Sequence, residues 1–296
     1  MTASLPDPIV AMPGDLPAPV AAALARQRPE PGERTTTEAA GIPFSSVTWG
    51  APTGRPLVLV HGVTASARIW WRIGPALAAT GRRVVAVDLP GHGLTGHWRG
   101  HYRFADNAAD LAAWIRAVGL DRPETQIVGH SWGAMTASAL PRHGIRPASL
   151  VLVDPPAVPH ASISMMASDP SEQPYPDLAT GIDVLAAANP GWPREDVIAK
   201  AEALSQLDVD AARAVLLDNR DWDGGLADLS DPAADGIPIW IVRGEAATGG
   251  LMPDEILPVF AERVGWSHII TIRRGSHSPQ RLHPEALMLA LLRAIA

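Results

Sequence analysis

The chain has 296 residues, 47% of them hydrophobic and 19% charged, a balance that supplies a large buried core and excludes a disordered or collagen-like chain. Lysine and arginine together number 24 against 31 acidic residues, for a net charge of -7, so no basic face is available to hold a nucleic acid by counterion release. The absence of cysteine removes disulfides, thiolate metal sites and cysteine nucleophiles together.

Residues 1–31 are rich in Pro and Ala, carry no early basic cluster, and are broken by Asp7 and Asp15 before an apolar run develops. No signal peptide is expected from that pattern. No stretch of 18 uninterrupted apolar residues occurs, so no membrane association is expected and the cytoplasm is the expected location. Residues 1–40 read as an N-terminal tail or a short arm on the surface. A single lysine, Lys200, stands among arginines.

From Gly41 the texture changes to short apolar runs alternating with helical patterns. Continuous Val/Ile/Leu runs at 57–60, 84–87, 126–128, 150–153, 237–242 and 269–272 predict strands buried on both faces. Helices are predicted at 70–79, 105–118, 134–142 and 284–295, the last with Pro284 in its first turn. The fold class is therefore α/β, a mostly parallel sheet with helices on both faces, formed by residues 41–154 and 236–296. Between Asp154 and Gly236 the alternation stops, and helical segments are predicted near 182–188, 195–204 and 210–219. Residues 155–235 read as a helical cap inserted over the sheet, because Trp192, Leu216, Leu217 and Trp222 need burial that a linker would not give them.

The strongest chemical signal is Gly129-His130-Ser131-Trp132-Gly133, with a strand before it and an Ala-rich helix after it. A serine on so sharp a turn exposes its hydroxyl, and small residues on both sides let the backbone close up. The run 57–60 ends in His61-Gly62-Val63, and the N–H groups of Val63 and Trp132 are placed to support a negatively charged oxygen. Of the ten histidines, His277 follows the last strand directly and stands where loops gather over the carboxyl edge of a sheet. His130 adjoins the serine and points elsewhere. His92, His97 and His101 share a polar loop, but their spacing fits no zinc pattern and no metal is expected.

With these motifs the sequence resembles the α/β-hydrolase superfamily from about Gly41 to the C-terminus, including a cap insertion at the customary place. Asp88-Leu89-Pro90-Gly91-His92-Gly93 resembles a loop common in that family, with a structural role. The resemblance implies Ser131 as nucleophile, His277 as base, and Val63 and Trp132 as oxyanion donors, with no cofactor. The acid departs from the common pattern: after the strand at 237–242 the usual position is Ala247. Asp154, which ends the run 150–153, ranks first, Glu245 second and Asp254 third.

The expected function is a serine hydrolase cleaving a small-molecule carboxylic ester, lactone or thioester through an acyl-enzyme on Ser131. Ile163, Met165, Met166, Trp192 and Trp222 of the cap are candidates for the substrate pocket. The superfamily also holds carbon–carbon bond hydrolases and other non-esterases. A receptor or scaffold that has kept the fold without turnover is the alternative that the alanine at position 247 suggests.

Overall fold

The computed structural model describes residues 5–97, 102–219 and 222–296. Among these residues ten strands form: β1 (Glu33–Ala39), β2 (Ile42–Trp49), β3 (Arg55–Val60), β4 (Arg82–Val87), β5 (Gln126–His130), β6 (Ser149–Val153), β7 (Ala157–Val158), β8 (Trp222–Asp223), β9 (Ile239–Arg243) and β10 (Ile269–Thr271). Eight of them make one sheet in the order β1-β2-β4-β3-β5-β6-β9-β10. From β4 to β10 neighbours are parallel, while β2 runs antiparallel to β1 and β4.

Alternate residues of each run feed two separate cores, which explains why the central strands are apolar throughout. Val58, Val60, Ile127, Leu150, Leu152 and Ile241 face one layer, with the helices Phe104–Ala117, Trp132–Ala139 and Leu257–Val264. Leu57, Leu59, Val128, Val151, Val153 and Val242 face the other, covered by Ile73–Ala78 and Pro284–Ala294. Among the described residues no helix is long and apolar enough to cross a membrane.

Within residues 5–40 the chain is tied to the sheet and the core rather than loose. Ile9 pairs with Ile272 beyond the β10 edge, its N–H donating to the Thr271 carbonyl at 2.7 Å. Val20, Ala23 and Leu24 of a helix over Ala18–Leu24 are buried in the second core. The sheet itself begins at Glu33, eight residues before Gly41, because β1 and β2 form a hairpin that turns at Ala40 and Gly41, both at positive φ. The polar stretch Glu33–Glu38 concealed this strand: as an exposed edge it has almost no apolar side chain to reveal it.

The insertion carries helices at His160–Met166, Leu178–Ala188, Arg194–Ser205 and Val209–Asp218. Leu185, Val197, Ala201 and Leu204 give it a small core of its own. At its base β7 and β8 pair antiparallel. The following segment, Leu226–Leu229 and Pro232–Ala234, returns to the core, where Arg142 pairs with Asp228 and Asp231.

Beneath the carboxyl edge lies a buried polar frame. The Asp88 carboxylate, at the end of β4, accepts the N–H groups of Ala67 (2.6 Å) and Leu94 (3.2 Å) and meets Arg34 at 3.2 Å, so the expected structural role of the 88–93 loop holds. A Cβ on Gly93 would lie 2.4 Å from that carboxyl group. His61 donates from Nδ1 to the Gly62 carbonyl (2.7 Å) and accepts the Leu89 N–H at Nε2 (2.9 Å). Its neutral ring thus serves as donor and acceptor at once. Among the other histidines of that region, His92 faces the Pro90 carbonyl through Nδ1 and packs on the Trp132 ring, while exposed His97 pairs with Asp208. His101 lies outside the described residues.

Burial lowers the His61 pKa to about 4 and that of His92 to about 3. Above pH 6.5 both folded and unfolded chains carry neutral rings; below it the unfolded chain takes up protons that the fold refuses, and stability falls. Asp110 acts in the opposite sense, since burial raises its pKa to about 6 and its contribution is lost as pH rises through that value. Two deeply shifted histidines outweigh one carboxyl. At about 1.4 kcal/mol per decade of proton affinity, we expect the denaturant midpoint to decline steadily from pH 6.5 to pH 4 by several kcal/mol of stability. A midpoint that is flat or rising over that window contradicts the neutral-histidine frame.

Candidate active site

Ser131 closes β5 and opens the helix Trp132–Ala139 with φ 56° and ψ -122°, a conformation that an L residue holds only where its surroundings enforce it. Glycines make the turn possible: a Cβ on Gly129 would lie 2.3 Å from the Gly133 carbonyl oxygen, and one on Gly133 would lie 2.4 Å from that of His61. The Ser131 N–H donates to the Val153 carbonyl at 3.0 Å. That bond ties the turn to β6 and presents the hydroxyl at the carboxyl edge of the sheet.

His277 follows β10, just before the short helix Pro279–Leu282. Its Nε2 stands 2.9 Å from Ser131 Oγ and its Nδ1 stands 2.7 Å from Asp154 Oδ2. Facing a carboxylate, Nδ1 carries the proton, which leaves Nε2 bare and able to accept one from the serine. Asp154 is fully buried at the end of β6, at φ 43°. Beyond His277 it accepts the N–H of Gly244 at Oδ1 and that of Leu251 at Oδ2, each at 2.9 Å. Three donors meet a carboxylate whose burial would otherwise be costly.

Glu245 is engaged elsewhere: its Oε2 accepts the Arg274 N–H at 3.0 Å, and its own N–H donates to the Gly275 carbonyl. It braces the loop that carries His277. Asp254 forms an ion pair with Arg243, and Ala247 is exposed. Of the three carboxylates weighed from the sequence, Asp154 is the one in hydrogen-bond contact with His277.

His130 supports the same loop from below, donating from Nε2 to the His277 carbonyl at 2.7 Å, its ring centroid 4.9 Å from that of His277. Burial pushes its pKa well down, and the neighbouring His277 lowers it further. Val63 sits in the loop after β3 and Trp132 at the first position of its helix. A Cβ on Gly62 would fall 2.9 Å from the serine Cβ, so the backbone leading into Val63 passes beside the hydroxyl. Among the described residues neither the Val63 nor the Trp132 N–H is bonded to another group. Both can therefore donate to an incoming oxygen.

Ser131 and His277 open on a cleft of about 80 Å³, also lined by Val63, Met166, Lys200 and Arg281. Of the cap candidates only Met166 lines it. Ile163 and Met166, three residues apart on one helix, share its inward face, with Ile163 buried in the core, whereas Met165 turns outward and is 70% exposed. Trp222 is buried against Phe104, ring centroids 4.9 Å apart, its indole N–H donating to the Asn219 carbonyl. Trp192 packs with the cap core, and its ring lies 4.1 Å from the guanidinium carbon of Arg281. Met165, Trp192 and Trp222 are thus corrected to surface or packing roles.

The sequence reading missed Thr64, Glu172, Lys200 and Arg281. Lys200, from the cap helix Arg194–Ser205, donates to the Thr64 carbonyl (3.1 Å), the Thr64 hydroxyl (2.8 Å) and Glu172 Oε2 (2.5 Å). The Thr64 hydroxyl in turn donates to Glu172. Burial lowers the Lys200 pKa while Glu172 opposes it; burial also works against the Glu172 charge, yet Lys200 beside it holds that carboxyl below its ordinary value. Thr64 has φ 55°, so the cap grips the strained residue next to Val63. The one visible signal was that Lys200 is the chain's sole lysine.

Comparison with known proteins agrees with this architecture. Epoxide hydrolase B of Mycobacterium tuberculosis is 36% identical over 86 residues, which is 28% of this chain and about a quarter (24%) of that relative's length. An esterase of the same organism is 27% identical over 269 residues, spanning 83% of this chain and 84% of the esterase. The crystal structure of E-2-(acetamidomethylene)succinate hydrolase superposes with a TM-score of 0.76 at 21% identity, covering 89% of this chain and 99% of that one. Residues 55–243 match the alpha/beta hydrolase fold family; that stretch runs from β3 through β9 and is more than half of the protein, and the chain belongs to this family.

Proposed function

We propose that the protein is a serine hydrolase that cleaves a carboxylic ester through an acyl-enzyme on Ser131. The observation that carries this reading is the unbroken line Asp154 Oδ2, His277 and Ser131 Oγ, with contacts of 2.7 and 2.9 Å. His277 Nε2 takes the hydroxyl proton as Oγ attacks the ester carbonyl, and the oxyanion is received by the Val63 and Trp132 N–H groups. Collapse of the adduct expels the alcohol, which leaves with the proton from His277. Water then enters, gives its proton to His277 and adds to the acyl carbon, and the carboxylic acid is released as Ser131 regains its hydrogen. Asp154 keeps the ring in the correct tautomer and stabilises the imidazolium.

Similarity to an esterase over most of its length supports this reading. Epoxide opening, suggested by the shorter match, fits the site less well. A serine oxygen that opened an epoxide would form an ether, which water does not cleave under these conditions, whereas an acyl ester on Ser131 can be hydrolysed. The receptor reading has less to support it, since a carboxylate, Asp154, meets His277 at 2.7 Å despite the alanine at position 247.

Ser131→Ala is expected to reduce hydrolysis of nitrophenyl esters roughly a thousandfold or more and to abolish labelling by a fluorophosphonate probe, with the melting profile preserved. Full turnover in a folded variant rejects the acyl-enzyme. Asp154→Asn should cost on the scale of about ten-thousandfold in kcat, whereas Glu245→Gln should cost less than about tenfold, because it removes a brace on the loop and no contact to the imidazole. Steady-state kinetics on both variants check the ranking, and an inverted order moves the acid to Glu245.

A further inference from the structure

Arg281 brings a guanidinium into the same cleft as Ser131 and His277. Its Nε is buried without a hydrogen-bond partner, and among the described residues no carboxylate forms an ion pair with it. The two acidic groups that act on its charge are occupied. Glu172 is bonded to Lys200 and Thr64, and Asp196 accepts the Trp71 indole N–H at 3.1 Å and lies 4.0 Å from Arg72. Both carboxylates help to keep Arg281 charged against the burial that disfavours it, but neither reaches it. Asp154, behind His277, is spent on three donors.

The side chain is held in place. Its guanidinium stacks on Trp192 at 4.1 Å, a contact that fixes the plane of the fork while leaving its N–H edges free. Lys200 adds no net charge, because all its donors are used and Glu172 neutralises it. A chain of net charge -7 thus keeps in the cleft of Ser131 a pre-oriented cation that has no ion-pair partner among the described residues. A half-buried cation without a partner is costly unless an anion completes it, and a planar fork with one positive charge matches a singly charged carboxylate.

We infer that Arg281 is the seat for a carboxylate carried by the substrate, so that the protein acts on esters of dicarboxylic acids, with one carboxyl esterified at Ser131 and the other free at Arg281. This inference names the substrate class of the ester-hydrolase reading and rests on it. Ser278, which lines the cleft one turn before Arg281, offers a hydroxyl to the same carboxylate.

The test compares monomethyl glutarate with dimethyl glutarate, the same skeleton with the free carboxylate masked, by pH-stat titration of released acid. Wild type should prefer the monoester in kcat/KM by about tenfold or more, chiefly through KM. The preference ratio should collapse about tenfold in Arg281→Gln and be partly kept in Arg281→Lys, which retains charge without the fork. A wild-type enzyme that hydrolyses both esters with no preference overturns the inference whatever the variants do and leaves the ester-hydrolase reading standing. An equal ratio in wild type and a folded Arg281→Gln overturns it as well. Calorimetric titration of glutarate separates the two claims: if neither ester is cleaved, binding about tenfold tighter to wild type than to Arg281→Gln retains the carboxylate seat and removes the ester reading, and equal affinity removes the seat.

Discussion

The carboxylate of Asp154 must be satisfied where it lies, with no solvent to help, and much of the upper edge of the sheet is arranged around that requirement. Gly244 and Leu251 belong to the segment after β9, and His277 belongs to the loop after β10; all three direct N–H groups at the two oxygens of one residue at the end of β6. Removing any donor would leave part of a buried charge exposed to a medium that solvates it poorly. The loops therefore converge by electrostatic necessity, and the imidazole is delivered to Ser131 as a consequence. Gly244 shows how close the approach is, since a Cβ there would stand 2.4 Å from the Gly275 carbonyl oxygen.

The loop after β3, which carries Val63, is held from two directions. From below, His61 fixes the Gly62 carbonyl and Asp88 receives the Ala67 N–H, so the turn is part of the rigid core. From above, Lys200 and Glu172 of the insertion grip Thr64. A loop that joins a strand to a helix would otherwise be among the more mobile parts of the fold, and pre-organised donors stabilise developing charge only if they do not have to be reoriented during the reaction.

How far the sequence revealed this depended on what kind of signal each part left. The strands buried on both faces announced themselves as unbroken apolar runs, and Ser131 stood out because its turn needs glycines at fixed offsets. Asp154 could be ranked above Glu245 because it directly ends such a run. Boundaries were less legible: β1 is polar and gives no hydrophobic pattern, and the run predicted to start at 237 enters the sheet only at Ile239. Least legible was the cap's contribution. Which of Met165 and Met166 faces the cleft depends on the rotation of one helix, and Thr64, Glu172, Lys200 and Arg281 come from four separate segments with no spacing to relate them. Side chains brought together only by tertiary packing leave no local pattern to read.

The use of lysine has a chemical consequence. The chain has one ε-ammonium group, and Lys200 is only 5% exposed with its donors committed to Thr64 and Glu172. Acylating reagents that attack unprotonated amines meet no lysine side chain on the folded surface, where positive charge is carried by arginine. Acylation of Lys200 requires its bonds to Thr64 and Glu172 to open, so its rate follows the loosening of that contact. The one lysine of the chain thus reports on the contact between the insertion and the loop after β3.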